Sequence, residues 1–281
     1  MSIYTTYGLA NIFISSVLEN NTNSYQKAME RLSSGSKFTT IGDGPVEISK
    51  TAETKAKISA TSQALSNVSL GSDLLSLAEG GQRTIIDNLE RIRDLCMQAA
   101  SETYSAESKD AILLEIRARL GQIDKTAEST KFGKINLLDG SGSNMSLQIG
   151  TSKSATMEIG QALINAHASQ LGGDIRIDSS ISGATWASTD VRTYMGKIDD
   201  AIKELTSTGA VIGSYHNRLG TTEGILESTK VSLISNKSII SDSDVAAEST
   251  NLVTNQILQQ ISASILAQAN QVPSLALSLL S

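Results

Sequence analysis

The chain has 281 residues, 40% of them hydrophobic, enough apolar material for one or two domains with a sizeable core. Aromatics make up only 4% and there are two prolines, so the interior is small and aliphatic, a composition suited to long packed helices rather than a compact α/β enzyme. A net charge of −6 with no basic cluster argues against nucleic acid as a partner, and the lone Cys96 excludes a disulfide framework or a zinc cluster.

At the amino end, Ile14, Leu18, Asn21, Tyr25, Ala28 and Leu32 alternate steps of four and three, which predicts an amphipathic helix. Ile85, Leu89, Ile92, Cys96 and Ala99 repeat that spacing, as do Leu113, Ile116, Leu120, Ile123 and Ala127. SETYSAES lies between them as a turn, with Ser105 or Ser108 as N-cap and Glu107 in the first turn, so the two stripes form a helical hairpin. Gly80 and Gly81 each cost a helix about 1 kcal/mol against Ala, which points to a close contact or a weak spot there.

Residues 133–182 break the helical period. Met145, Leu147 and Ile149 alternate with polar residues, as do Ala155, Met157 and Ile159, and the linker 150–153 joins them in a β-hairpin at about 143–160. A third short strand is expected around Ile175 and Ile177, within an irregular segment at 161–190 where Trp186 plugs the loop. Ile198, Leu205, Ile212, Leu219, Leu226, Leu233 and Ile240 then recur every seven residues, a coiled-coil-like seam. Helical throughout, 194–240 would run on the order of 70 Å, at about 1.5 Å per residue. At the carboxyl end Leu258, Ile261, Ile265, Gln268, Val272, Leu275 and Leu279 return to three-four spacing. The fold class is mainly α: a long coiled-coil-like helical bundle with a small β-hairpin region.

Both ends lack charge. Glu19 is the first acidic or basic side chain and Glu248 the last. Burying an unpaired charge costs several kcal/mol, roughly, whereas a neutral amide or hydroxyl is satisfied by one partner, so a helix enclosed on all sides avoids Lys and Glu. Such ends have little to fold on alone, and they are expected to be largely disordered in the free chain and to order when subunits stack. Self-assembly is favoured over pairing inside one monomer, because pairing alone would leave the outer faces free to carry charge. Ile14, Leu18, Tyr25, Leu32, Leu258, Ile261, Ile265, Val272, Leu275 and Leu279 are the predicted assembly residues.

No secretory signal peptide or membrane span is read from the sequence: the first residues lack a basic region, and glutamines and Pro273 interrupt the tail. His167 and His216 have no metal-binding spacing, the Gly-rich turns lack the context of a phosphate loop, and no nucleophile elbow occurs. The chain reads as a non-enzyme without cofactors or metal.

ERLSSG (30–35), LERIRDLCMQAA (89–100), EIRARLGQID (115–124), SDSDVAAE (241–248), QILQQ (256–260) and LAQANQVP (266–273) resemble bacterial flagellin, in the right order and over nearly the whole chain. The resemblance implies a secreted structural subunit that polymerises into the extracellular flagellar filament for motility. It implies that terminal helices, 1–42 and 241–281, pair as a coiled coil lining the inner tube, and that 43–240 is the shaft domain. With so few residues between hairpin and seam, it implies a short form lacking a large variable outer domain. It also implies an export chaperone, cap and junction proteins as partners. The flagellin-sensing Toll-like receptor of host innate immunity would then contact Arg91, Leu95 and Glu115. On their own, Arg91 and Glu115 read as solvated charges and Leu95 as bordering a seam. Pro45 and Glu47 stand where the family runs into a small acidic stretch, and Pro45 cannot sit cheaply inside a helix, so a changed path is expected there. Two other readings are a hook–filament junction protein, whose tail differs from LAQANQVP, and a secreted membrane-active amphipathic protein, which would need cationic faces.

Overall fold

The structure, a computed structural model, describes the backbone of residues 2–141 and 145–280, and within it the side chains of all but 2–10, 161 and 272–280. Along the chain run α1 (Ser2–Ser34), α2 (Pro45–Ala99), α3 (Ala106–Ser129), β1 (Lys131–Phe132), β2 (Ile135–Asn136), β3 (Ser146–Gln148), β4 (Thr156–Glu158), α4 (Ser188–Ser241) and α5 (Val245–Leu280). These fall into two compact units, Ser59–Val231 and Met1–Ile58 with Ser232–Ser281.

The unit Ser59–Val231 is built on the periodic stripes. Ile85, Leu89, Ile92, Cys96 and Ala99 of α2 are fully buried, as are Ile116, Ile123 and Ala127 of α3 and Ile198, Leu205 and Ile212 of α4. All of them belong to one contiguous core. Burying each aliphatic side chain contributes about 1.5–3 kcal/mol, so this core suffices to order the helices around it. Burial pushes the Cys96 thiol up to about 12, which makes it a small core residue rather than a nucleophile.

The turn between α2 and α3 follows the expected capping. Ser105 Oγ accepts the Ser108 backbone N–H at 3.3 Å, satisfying a donor left open by the first helical turn. Ser105→Ala is expected to lower the unfolding free energy by about 1 kcal/mol, read as a lower urea midpoint at unchanged slope. Gly81 is a close-contact position: a Cβ there would lie 2.6 Å from Thr130 Oγ1 and 2.8 Å from Leu138 Cδ1. Gly80 has open space at the same place.

The predicted hairpin forms, with β3 and β4 antiparallel and Leu147 opposite Met157; residues 143 and 144 of the expected span lie outside the described residues. A second hairpin, β1 with β2, turns through Gly133 at φ 63°. The expected third strand does not form. Ile175 instead donates its N–H to Ala168 O at 2.9 Å and accepts the Tyr194 hydroxyl at 2.6 Å, so its backbone is satisfied without a sheet neighbour. Trp186 is buried, with its ring edge-on to Tyr194 at 6.1 Å between centroids, and does plug this loop. The loop is tied to α3 by Arg117, which donates to Asp178 O at 2.9 Å and Ile181 O at 2.7 Å. It is tied also by Asp110, which accepts the Gly183 N–H at 2.6 Å. A Cβ on Gly183 would sit 2.1 Å from Ala106 O, so the approach requires glycine.

In the other unit, α1 lies antiparallel to α5. Lys37 N–H donates to Ser241 O at 2.7 Å and Ser243 N–H to Gly35 O at 2.9 Å, clasping the start of the 35–44 segment to the turn between α4 and α5. Pro45 occupies the first position of α2, where its missing N–H costs nothing, so it starts a helix rather than interrupting one. Just before it, Asp43 accepts from the Thr40 backbone at 3.0 Å and from the Thr40 and Thr39 hydroxyls. Those bonds, the Thr40 backbone first, hold its carboxyl down at about 2.

Candidate self-assembly surface

Polar side chains join α1 to α5 in rungs. Asn11 Nδ2 donates to Asn270 Oδ1 at 3.2 Å, Asn21 Nδ2 to Ser262 Oγ at 3.2 Å, and Gln259 Nε2 to Thr22 Oγ1 at 3.1 Å. Nearest the clasp, an Arg31 guanidinium nitrogen stands 3.5 Å from Glu248 Oε1. Ile14, Leu18, Tyr25 and Leu32 are half-buried on the face of α1 that carries these groups, with Ala28 fully buried among them. The amino-terminal stripe is therefore spent on the partner helix of the same chain.

The carboxyl-terminal stripe is not. Leu258, Ile261 and Ile265 are exposed at 41%, 49% and 46%, while beyond Ser249 the shielded positions of α5 are Leu252, Asn255, Gln259, Ser262, Leu266 and Ala269. The expected polar outer face is thus turned inward, and the apolar stripe outward. Both sets obey three-four spacing, so periodicity alone could not choose between them. Val253 and Ile257 extend the exposed apolar face, and Ile12, Phe13 and Met29 are exposed on α1. These were not among the predicted residues. For Val253 and Ile257 the signal available was the total absence of charge beyond Glu248. Of the remaining predicted residues, Val272, Leu275 and Leu279 fall on α5, but their side chains lie outside the described residues. A charge-free aliphatic surface of this extent, on a helix whose other face is already paired, suits burial against further protein.

On the surface of α2 and α3, Glu115 Oε1 lies 3.4 Å from Arg91 Nε and 3.1 Å from Arg119 Nε, and Arg119 also reaches Asn88 Oδ1 at 3.3 Å. Leu95, expected beside them as a receptor contact, is 2% exposed and packs in the core, because it completes the buried run with Ile92, Cys96 and Ala99. His167 Nδ1 faces Asp124 at 3.3 Å and His216 Nδ1 faces Ser72 Oγ at 3.4 Å; among the described residues no group of His, Cys, Asp and Glu is placed to hold a metal.

The chain matches the bacterial flagellin N-terminal helical region over residues 6–143 and the bacterial flagellin C-terminal helical region over 195–280. It is 31% identical to the flagellar filament 33 kDa core protein of Treponema phagedenis across 98% of both chains. This chain belongs to the flagellin family. It is also 29% identical to a flagellin of Halalkalibacterium halodurans, covering 92% of this chain and 93% of that one. A solved flagellar hook-associated protein from Vibrio parahaemolyticus shares the fold at TM-score 0.58 and 16% identity, over 70% of this chain and 99% of that one. This flagellin is a short form: between α3 and α4 the described chain holds only the two hairpins, two three-residue 3-10 helices at Gly160–Ala162 and Leu171–Gly173, and irregular turns. As a family member it is a structural subunit that polymerises into the flagellar filament, an extracellular assembly. No helix among the described residues is long and apolar enough to cross a membrane.

Proposed function

We propose that this flagellin polymerises through the outward faces of its terminal helices, with Leu258, Ile261 and Ile265 as the centre of the contact and Val272, Leu275 and Leu279 as its continuation. Ile14, Leu18, Tyr25 and Leu32 serve the contact indirectly, by holding α1 on α5. The observation that carries this reading is the exposed, charge-free aliphatic face of α5. In the filament, 1–42 and 241–281 would form the inner-tube domain and 43–240 the shaft. The protein would leave the cell unfolded through the hollow flagellar apparatus, with an export chaperone, cap and junction proteins as partners. The test is electron microscopy of the purified protein after addition of a precipitating-salt seed. Long filaments are expected, and a solution that stays monomeric or yields only amorphous material would overturn the reading.

The host flagellin-sensing Toll-like receptor is a further partner in this reading, through Arg91 and Glu115. The Arg91–Glu115–Arg119 group offers fixed charge and hydrogen-bond capacity on adjacent helices, while Leu95 contributes only by packing beneath it. Arg91→Ala is expected to lower monomer potency on receptor reporter cells by roughly tenfold, the loss of one charge-assisted contact. Equal potency to wild type would remove these residues from the contact.

A further inference from the structure

The orientation of α5 is unusual on energetic grounds. A helix with one aliphatic stripe, lying against a partner that presents Ile14, Leu18, Tyr25 and Leu32, buries more apolar surface by turning that stripe inward. Here the inward face is instead Asn255, Gln259, Ser262 and Ala269 with two leucines, while Leu258, Ile261 and Ile265 face out. At about 100° per residue, Ile261 lies roughly 140° round the helix from Glu248, so the two arrangements differ by a rotation of α5 about its axis.

The backbone clasp between Gly35–Lys37 and Ser241–Ser243 sets where α5 starts, and beyond it no backbone hydrogen bond among the described residues joins α5 to α1 to oppose a rotation. What opposes it is side-chain chemistry on one face. Glu248 is 8% exposed and is the last charge in the chain. Its carboxylate meets Arg31 on one oxygen and accepts from Asn251 Nδ2 at 3.2 Å on the other. This is the single ion pair joining α1 to α5 among the described residues. Rotation of α5 would separate the pair, carry Glu248 out of the interface and strip the half-buried Arg31 of its carboxylate partner, a larger loss than breaking a neutral rung. The pair is poorly arranged for simple stabilisation, since Arg31 Nε is buried with no hydrogen-bond partner in the structure. Such a pair suits the choice of one arrangement over another better than it suits added strength.

We propose that Arg31 and Glu248 are positioning residues that fix the rotation of α5 on α1 and thereby keep the aliphatic stripe turned outward. The consequence for assembly rests on the reading that this stripe is the polymerisation surface; the rotational role does not. The test is disulfide cross-linking in the unassembled full-length chain. Cysteines at Asn21→Cys with Ser262→Cys report the observed rotation, and Asn21→Cys with Ile261→Cys report the turned one. Cys96, fully buried, does not compete.

In the otherwise unaltered chain the 21–262 bond is expected to form at least tenfold faster than the 21–261 bond. Adding Arg31→Ala should bring the two rates within about twofold, and the exchanged pair Arg31→Glu with Glu248→Arg should restore the preference. A preference unmoved by Arg31→Ala, or a parallel loss of both cross-links, would overturn the proposal; the second result would mean that the pair merely holds the helices together. Failure of the assembly reading looks different. The cross-linking ratio would shift as expected while Arg31→Ala, with native cysteine content, still grew filaments at the wild-type rate.

Discussion

Replacing both Ile261 and Ile265 with Asp abolishes seeded filament growth while leaving thermal unfolding of the Ser59–Val231 core unchanged. Both side chains are about half exposed in the monomer, so the substitution removes little folded-state packing and the free protein keeps its helices. In a polymer that encloses the face, each carboxylate must be desolvated without a partner. No Lys or Arg follows Glu248 on α5 to supply one from the same helix. At about 3 kcal/mol per buried, unpaired charge, two of them raise the critical concentration by roughly four orders of magnitude. Ile261→Asn with Ile265→Asn separates charge from lost aliphatic area. The amides can find single hydrogen-bond partners, so growth is expected to be slowed but present. Sedimentation of polymer across a concentration series measures both. Normal filaments from the Asp variant would show that α5 contacts nothing through this face.

The contrast between stripes shows what the sequence could and could not specify. On α2, α3 and α4 each periodic stripe had aliphatics on one face and charges on the other, so burial followed from spacing, except at the end of the α4 seam, where Leu233 and Ile240 are only half-buried. Leu95 falls within that logic: at three residues after Ile92 it belongs to the buried face, and a role at the surface does not fit its position. On α5 the logic failed because two faces carry the same three-four spacing. One is aliphatic and the other made of small and amide side chains, and without charges neither announced itself as the wet side. Only the positions of Asn11, Asn21, Thr22 and Arg31 on the opposing helix, about 220–260 residues away in sequence, decide which face pairs. The hairpin around Leu147 and Met157 was legible from its alternation. The Lys131–Asn136 hairpin was not, since strands of two residues are too short to show a period. The strand expected at Ile175 and Ile177 had the right residues but no edge to join.

In unassembled protein, amide hydrogen exchange is expected to divide at the boundary between the two units. In Ser59–Val231 the helix amides should exchange only through global opening, with protection above about ten-thousandfold, as for a domain stable by 5 kcal/mol or more. In α1 and α5 protection should stay below roughly a hundredfold, because little there is excluded from water. Among their described residues only Ala28, Glu248 and Ser262 are buried, two of the three polar, against the unbroken aliphatic core of the other unit. Helices of 33 and 36 residues draw most of their stability from a packed face, and here the aliphatic face of α5 is packed on nothing. Enclosing that face in a filament supplies the missing burial, so exchange measured on polymer should slow in α1 and α5 by at least a hundredfold and change little in α2 and α3. The same physics predicts proteolytic trimming of both ends in the monomer and resistance in the filament. If α1 and α5 are as protected as α4 before any polymer forms, the polar rungs suffice to hold them. Their lack of charge would then need a cause other than enclosure by neighbouring copies.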